Sequence, residues 1–411
     1  MSRHAIRSTL ATCILLSLAA GQALAADAGT PILDLRYRHE SVDQDGFAKD
    51  AHADTLRVRA GYATAAWHGW TALAEADAVL GLGDGRYNDT RNGQRQYPVI
   101  ADRPGAEINQ ALLRYTSGSN TATLGRQRIN LGNQRFVGGV GWRQNEQTYD
   151  GVRVQLAPLE RLSVDYSFVD GINTVFGPDD SAASNRSNPS DIEGQSHLLQ
   201  VGLRFAPALS ASAYHYRLDL DGIAVTATAP PGTLSSHTTG LRLEGAQGAW
   251  SYAAEYARQQ ELADNPWTLD SRYLLAELGY KVRGATLKAG FESLGGGEGT
   301  GNRAFQTPLA TKHLFQGWAD MFLTTPAQGV DDLYAGVSVP LAGGTLQAWY
   351  HDFSPQRGGG RYGDEIDLSY AHPIPALKGL SGLLKLARYR SEDRSRTVDT
   401  DKLWLQLQYT Y

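Results

Sequence analysis

Apolar and polar residues alternate along most of this chain. The final segment is the cleanest case: Leu403, Leu405, Leu407, Tyr409 and Tyr411 share one face, and Lys402, Trp404, Gln406, Gln408 and Thr410 the other. A period of two marks a β-strand whose faces meet different surroundings. The pattern recurs as Leu162, Val164, Tyr166 and Phe168 against Ser163, Asp165 and Ser167, and as Trp250, Tyr252, Ala254 and Tyr256 against Ser251 and Glu255. Leu274, Ala276, Leu278 and Tyr280 oppose Glu277 and Lys281, and Ala285, Leu287, Ala289 and Phe291 oppose Thr286, Lys288 and Glu292. Eighteen such segments can be laid out from near Ile32 onward. The gaps between them alternate in length. Long gaps at 41–53, 81–104, 127–145, 171–193, 221–236, 261–269, 294–330, 354–363 and 391–399 are separated by tight turns such as His68-Gly69, 117–120, 246–249 and 341–344. Bacterial outer-membrane barrels have an even strand number, short periplasmic turns and long extracellular loops. The predicted fold is therefore all-β: a transmembrane antiparallel up-and-down β-barrel of about 18 strands, with both termini periplasmic.

The polar face decides between lipid and a soluble core as the neighbour of the apolar face. It carries charge on nearly every segment, which a closed barrel tolerates only around a wet lumen. Trp67, Trp70, Tyr115, Tyr409 and Tyr411 stand near segment ends, as interfacial girdles require. The mean hydropathy of −0.36 fits a wall in which only alternate residues meet lipid.

The N-terminus has Arg3, His4 and Arg7, an apolar run over 10–20, and Ala23-Leu24-Ala25 as a small-x-small cleavage site. Residues 1–25 are expected to be a signal peptide and 26–411 the barrel. The single cysteine, Cys13, falls in the leader, so the mature chain would have no disulfide, thiolate metal site or cysteine nucleophile. No later stretch reaches the ~18 apolar residues of a membrane helix. Loss of Arg3 and Arg7 takes the formal charge from −5 to −7, which argues against nucleic acid. Arginine outnumbers lysine 31 to 7. The planar Arg fork suits carboxylates, phosphates and sugar oxygens, although Arg-rich codon usage explains the same count.

Alternation aims Arg36, Arg38, Arg57, Arg59, Arg114, Arg126, Arg128 and Arg153 into the lumen from the first, second, fourth, fifth and sixth strands. Glu75 and Asp77 interrupt them, and Asp165 and Lys281 add to the lining. Glu244, Glu255, Glu277 and Glu292 point inward from the tenth to thirteenth strands, roughly opposite. Basic and acidic walls facing each other would set up a transverse field and an ion preference. A solvated lining of local salt bridges is the plainer alternative.

The loop 294–330 opens with Gly295-Gly296-Gly297 and has a helix-like stretch at 310–322. Its aromatics argue for an ordered, functional segment. Phe315, Trp318 and Phe322 are expected to tuck into the barrel mouth as a constriction; packing on the outer rim is the alternative. Asp43-x-Asp45-Gly46 starts like a calcium loop but has Asp54 at the twelfth position. Asp179, Asp180 and Asp191 are weak divalent-cation candidates. His215 and Asp219 share a strand face and are taken as lumen lining. No metal and no cofactor is expected.

Four motifs carry a resemblance: Gly125-Arg126-Gln127-Arg128, Gln134-Arg135-Phe136-Val137-Gly138, Gly141-Trp142-Arg143-Gln144-Asn145 and Thr148-Tyr149-Asp150-Gly151-Val152. Phe315-x-Gly317-Trp318-Ala319-Asp320-x-Phe322 and Gly329-Val330-x-Asp332-Leu333-Tyr334 add to it. With these motifs the chain resembles the alginate-export family of Gram-negative outer-membrane proteins. The resemblance implies a monomeric barrel with an Arg-rich constriction that passes an anionic polysaccharide or smaller solutes.

The sequence thus reads as a channel in the outer membrane of a Gram-negative bacterium for passive diffusion of hydrophilic, anionic solutes, and not as an enzyme. Its expected partners are outer-membrane lipid and lipopolysaccharide, and a small anionic solute or acidic polysaccharide. Export of a polysaccharide such as alginate is one alternative. A plugged barrel acting as an outer-membrane enzyme or surface-interaction protein is the other.

Overall fold

The computed structural model describes residues 29–178 and 186–411. The expected leader at 1–25, and Asp179 and Asp180, lie outside them. The strands are β1 (Thr30–Gln44), β2 (Ala51–Ala63), β3 (Trp70–Gly81), β4 (Gly105–Ser117), β5 (Asn120–Gln127) and β6 (Thr148–Leu159). Next come β7 (Leu162–Asn173), β8 (Asp191–Ala206), β9 (Leu209–Leu218), β10 (Ser236–Gln247), β11 (Trp250–Glu261) and β12 (Asp270–Val282). The last are β13 (Ala285–Gly295), β14 (Gly329–Leu341), β15 (Gly344–Ser354), β16 (Gly363–Pro373), β17 (Leu380–Ser391) and β18 (Thr400–Thr410). Each pairs antiparallel with its sequence neighbours, and β1 pairs β18 from Asp34↔Thr410 to Gln44↔Thr400. The sheet is closed, so no strand edge faces lipid with unpaired backbone groups. Among the described residues no helix is long and apolar enough to cross a membrane.

The eight short turns lie at one end and the nine long loops at the other. His68-Gly69 and Arg283-Gly284 have positive φ at both residues (48° and 87°, 49° and 84°). Paired left-handed residues match the twist of a two-residue hairpin, which is why a glycine sits second in each. The outer face of the wall is an exposed aliphatic band that includes Leu124, Val152, Leu241, Leu274 and Leu405. Trp70 against Tyr115 and Trp250 against Tyr280 edge it on the periplasmic side, as a girdle does.

The core lies inside the barrel. Loop L3 (128–147) and loop L7 (296–328) fold inward and carry apolar side chains onto the inner wall. Phe136 of L3 packs on Tyr214, Tyr216, Tyr273 and Phe305 at centroid distances of 5.2–6.2 Å. Phe322 of L7 packs on Phe353, Tyr362 and Tyr389. The helix-like stretch at 310–322 proves to be one turn of 3-10 helix, Lys312–Leu314. Its aromatic residues are spaced by three and four, but Phe315 meets Arg135 of L3 while Trp318 and Phe322 meet the β15–β17 side, and Gln316, Gly317 and Asp320 have positive φ.

Candidate functional site

The inward faces of β1 to β4 form a wall of buried charge. Arg57 donates to Asp34 (2.5 Å) and Arg59 to both oxygens of Asp77 (2.7 and 2.6 Å). L3 settles on this wall. Arg36 donates to the Gly141 and Arg143 carbonyls (2.9 and 2.5 Å) and to Gln144 Oε1 (2.9 Å). Arg38 donates to the Trp142 carbonyl (2.6 Å), lies 4.1 Å over the Trp142 ring and reaches Asp102 of loop 82–104 (3.5 Å). Glu146 accepts from Arg59 (2.7 Å), Arg128 (2.7 Å) and Asn109 (2.9 Å). Burial alone would raise the Glu146 pKa, but the two guanidiniums and the amide bring it down to about 2. The predicted arginines here are thus the seat of a loop, with their donors largely committed.

Arg128 bridges Glu75 and Glu146. Arg153 pairs with Asp165 (2.6 Å) on the open inner face of β6 and β7. Arg114, near the periplasmic end, is exposed and donates to Thr123 (3.2 Å). Arg126 departs from the expected face. Thr123 and Gln127 are buried inward, whereas Arg126 shares its parity with the exposed Leu124 and pairs with Asp150 (2.7 and 2.8 Å) on the outer wall. It sits at the last turn of β5 before the extracellular loop, above the hydrocarbon, where an outward charge is tolerated. Charge there no longer reports the lumen. The same reason puts His215 outside: it is exposed, in line with Ala213 and Arg217, while Tyr214 and Tyr216 point in.

On the opposite wall, Glu255 is buried between Tyr214 (2.7 Å) and Arg242 (2.8 Å). Glu292 accepts from Arg135 of L3 (2.6 Å), from Tyr273 (2.7 Å) and from Gln316 of L7. Arg135 also reaches Thr307 and lies 4.7 Å over Phe315. Toward the periplasm the lining opens. Glu244 stays accessible beside Arg242, Glu277 pairs with Lys288 (3.0 Å), and Lys281 is exposed.

The apex of L7 sits on β16. Ala319 N–H donates to Glu365 (2.6 Å) and Trp318 N–H to Asp367 (3.1 Å). Gly317 makes this approach possible: its φ is +74°, and a Cβ there would lie 2.3–2.6 Å from the Glu365 carboxylate. Next to the apex, Lys385 stands over Trp318 (3.8 Å) and Trp142 (4.3 Å) and donates to His313 Nε2 (2.7 Å). His313 in turn donates from Nδ1 to Asp320 (2.7 Å). Burial drives the His313 pKa down to about 3 despite Asp320, so the ring is neutral and this tautomer follows. Asp320 also takes Lys402 (2.8 Å) and Arg143 (3.3 Å). These cations and His313 hold its carboxyl well below the usual range although burial opposes them.

Above the junction of L3 and L7 lies a cavity of about 400 Å³ open to the outside. Its sides are apolar (Val42, Val140, Ile192, Ile223, Leu234) and its floor holds Arg143, Lys312, Lys402 and Asp320. Lys312 has no carboxylate partner among the described residues, and burial with the nearby Arg135 guanidinium pushes its pKa down to about 8. The sequence reading quoted Arg135, Trp142 and Arg143 in motifs but gave them no site role, and it missed Glu146, Lys312, Glu365, Asp367 and Lys385. The Trp142-Arg143-Gln144-Asn145-Glu146 run, unusually polar and bulky for a surface loop, was the available signal for L3.

In structural comparison the chain is similar to OpdO of Pseudomonas aeruginosa, at TM-score 0.71 and 15% identity over 94% of this chain and 98% of that one. OccAB3 of Acinetobacter baumannii is similar at TM-score 0.71 and 14% identity over 94% and 100%. OpdL of Pseudomonas aeruginosa matches at TM-score 0.66 and 18% identity over 93% and 98%. At such identities the likeness speaks to the barrel fold alone. No curated protein matched the sequence. The family model described as alginate export matches residues 32–308, well over half of the length. The chain belongs to the alginate-export family of outer-membrane β-barrel proteins.

Proposed function

We propose that this outer-membrane channel passes small anions by passive diffusion, with residues 1–25 as the export signal of the barrel at 26–411. The observation that carries the reading is the vestibule floor. Lys312 is a cation with no carboxylate partner there, flanked by Arg143 and Lys402, which share Asp320. A half-buried ammonium left unpaired is a ready site for a carboxylate or phosphate. The apolar sides above it favour a carboxylate with an apolar body over a fully hydrated ion. Arg36, Arg38, Arg57 and Arg59 then act indirectly, by seating L3. Arg114, Arg153 with Asp165, Glu244, Glu277 and Lys281 line the exit, and Phe315, Trp318 and Phe322 fix the constriction. Glu255 and Glu292 anchor the facing wall.

Family membership favours a second reading, export of an acidic polysaccharide. A cavity of this size, closed below by L3 and L7, suits a small solute better than a polymer. The barrel works as a monomer in contact with lipid, and no catalytic step is assigned to it. Reversal potentials across a planar bilayer in a salt gradient test the proposal. An excess of anion current is expected, reduced in Lys312→Ala. A cation-selective wild type overturns it.

A further inference from the structure

The outer wall carries one feature that transport does not use. On β8 to β12 the ladder registers stack outward side chains in lateral rows. His197, Arg217, His237, Gln260 and Asp270 form the uppermost row. Leu199, His215, Thr239, Arg258 and Arg272 form the next. Below that the wall turns apolar with Val201, Ala213, Leu241, Tyr256 and Leu274, and it ends at Trp250 against Tyr280. Arg258 lies eight residues above Trp250 on β11. That is about 27 Å along the strand and, at the usual tilt, about 20 Å along the membrane normal. The two rows, which together carry Arg217, Arg258 and Arg272 against the single acid Asp270, therefore lie at the extracellular edge of the hydrocarbon, where lipid phosphates sit.

Pairing separates this face from the rest of the wall. Arg258 is bound by Asp270 (2.7 Å), but Arg217 and Arg272 are exposed and have no carboxylate within ion-pair distance among the described residues. Beyond ion-pair distance, Asp219 stands near Arg217, with Asp221 and Asp264 close by, and Asp270 stands near Arg272. Elsewhere outward arginines are paired: Arg126 with Asp150, and Arg388 and Arg390 with Asp401. An outward arginine at an apolar edge keeps its charge and needs an anion. Acyl chains fit the smooth row of leucine, valine and alanine directly beneath it. We infer that the β8–β12 face binds the phosphorylated disaccharide headgroup of lipid A, with Arg217 and Arg272 holding phosphate and the row below holding acyl chains.

This inference rests on the outer-membrane placement of the barrel but not on its solute. The test is lipid A titrated in detergent micelles and followed by native mass spectrometry. Arg217→Ala with Arg272→Ala should weaken binding by about tenfold or more, since each basic residue near such a surface contributes about 1 kcal/mol. Arg388→Ala with Arg390→Ala should bind like the wild type, and inorganic phosphate should not displace the lipid. Equal binding by the first pair, equal loss in the second, or release by inorganic phosphate alone would overturn the inference. Heat-modifiable migration and unchanged single-channel conductance certify that both variants fold. Loss of channel activity without loss of lipid would strike the transport reading instead. Should the double alanine variant fail to fold, Arg272→Gln alone is expected to show a smaller loss.

Discussion

Glu292 and Lys288 stand on the same inward face of β13, four residues apart, and meet opposite fates. Glu292 is 2% exposed and is held by Arg135, Tyr273 and Gln316. Lys288 is 35% exposed and has a single partner, Glu277. The boundary between them divides the lumen. On the extracellular side L3 and L7 fill the lumen, and Glu146, Glu292 and Asp320 are each locked into a network of several bonds, with Lys312 left without a carboxylate partner among the described residues. On the periplasmic side no loop enters among the described residues, and charges such as Lys288 with Glu277 and Arg153 with Asp165 stay partly exposed, with few partners. Burial, not residue type, therefore decides which lumen charges hold structure and which meet solute. A buried pair loses several kcal/mol if one partner is removed, whereas an exposed pair is worth about 0–1 kcal/mol.

The comparison breaks most visibly if L7 is removed. Replacing 300–325 by a short Gly/Ser bridge should open the β13–β17 side of the upper half while L3 stays seated on β1 to β4. Single-channel conductance should rise severalfold and become noisier, in a barrel that still shows heat-modifiable migration. Unchanged conductance would mean that ions pass elsewhere and that the inward aromatics do not set the pore.

Strand number, faces and loop lengths were legible in the sequence because a period of two and the spacing of turns are local properties. Trp404 inward and Leu405 outward could be read from the alternation of β18 alone. The inward course of L7 could be argued from its aromatics, which would be costly in water. The seating of L3 could not. Arg36 binds the Gly141 carbonyl 105 positions away, and although the bulky polar run 142–146 marks L3 as unusual, nothing local says which wall it would seat on. Nor could the sequence show that most of the predicted arginine wall is paired to acids on adjacent strands and on L3. Alternation gives a face, but pairing depends on register and on loop packing.

A finer cut separates the halves with single residues. Arg135→Ala leaves Glu292 buried beside polar partners but without its cation. The opening of L3 and L7 should become easier by about 3–5 kcal/mol, the usual cost of orphaning a buried charge. Hydrogen exchange of the amides at 134–138 and 305–311 reads this directly. Lys288→Ala should leave those amides unchanged and cost under about 1 kcal/mol elsewhere. Equal effects would erase the distinction between the halves.

The vestibule provides a test by pH. Lys312 is protonated below its pKa of about 8 and neutral above it. Raising the pH from 7 to 9 should therefore weaken anion preference. An anion held at the site would shift the midpoint upward by favouring the charged form. Lys312→Ala should remove the dependence over this window. The cations below, Arg143 and Lys402, should keep a residual preference. A flat profile in the wild type would mean that Lys312 does not face the permeating ion.

The smallest expected effect falls on the residue that the alternation placed wrongly. Arg126 and Arg128 are two positions apart and look equivalent in sequence, yet they stand on different sides of the wall. Arg126 faces outward with Asp150, in a partly exposed pair worth about 1 kcal/mol or less. Arg128 has left the strand and turns in between Glu75 and Glu146. Arg126→Glu should leave the reversal potential where it was. Arg128→Glu sets a third acid against Glu75 and Glu146, so it should shift preference toward cations and loosen L3. Reversal potentials of the two single variants in the same salt gradient decide between them. A shift with Arg126→Glu as large as that with Arg128→Glu would return Arg126 to the lumen and undo the face assignment for the whole upper turn of β5.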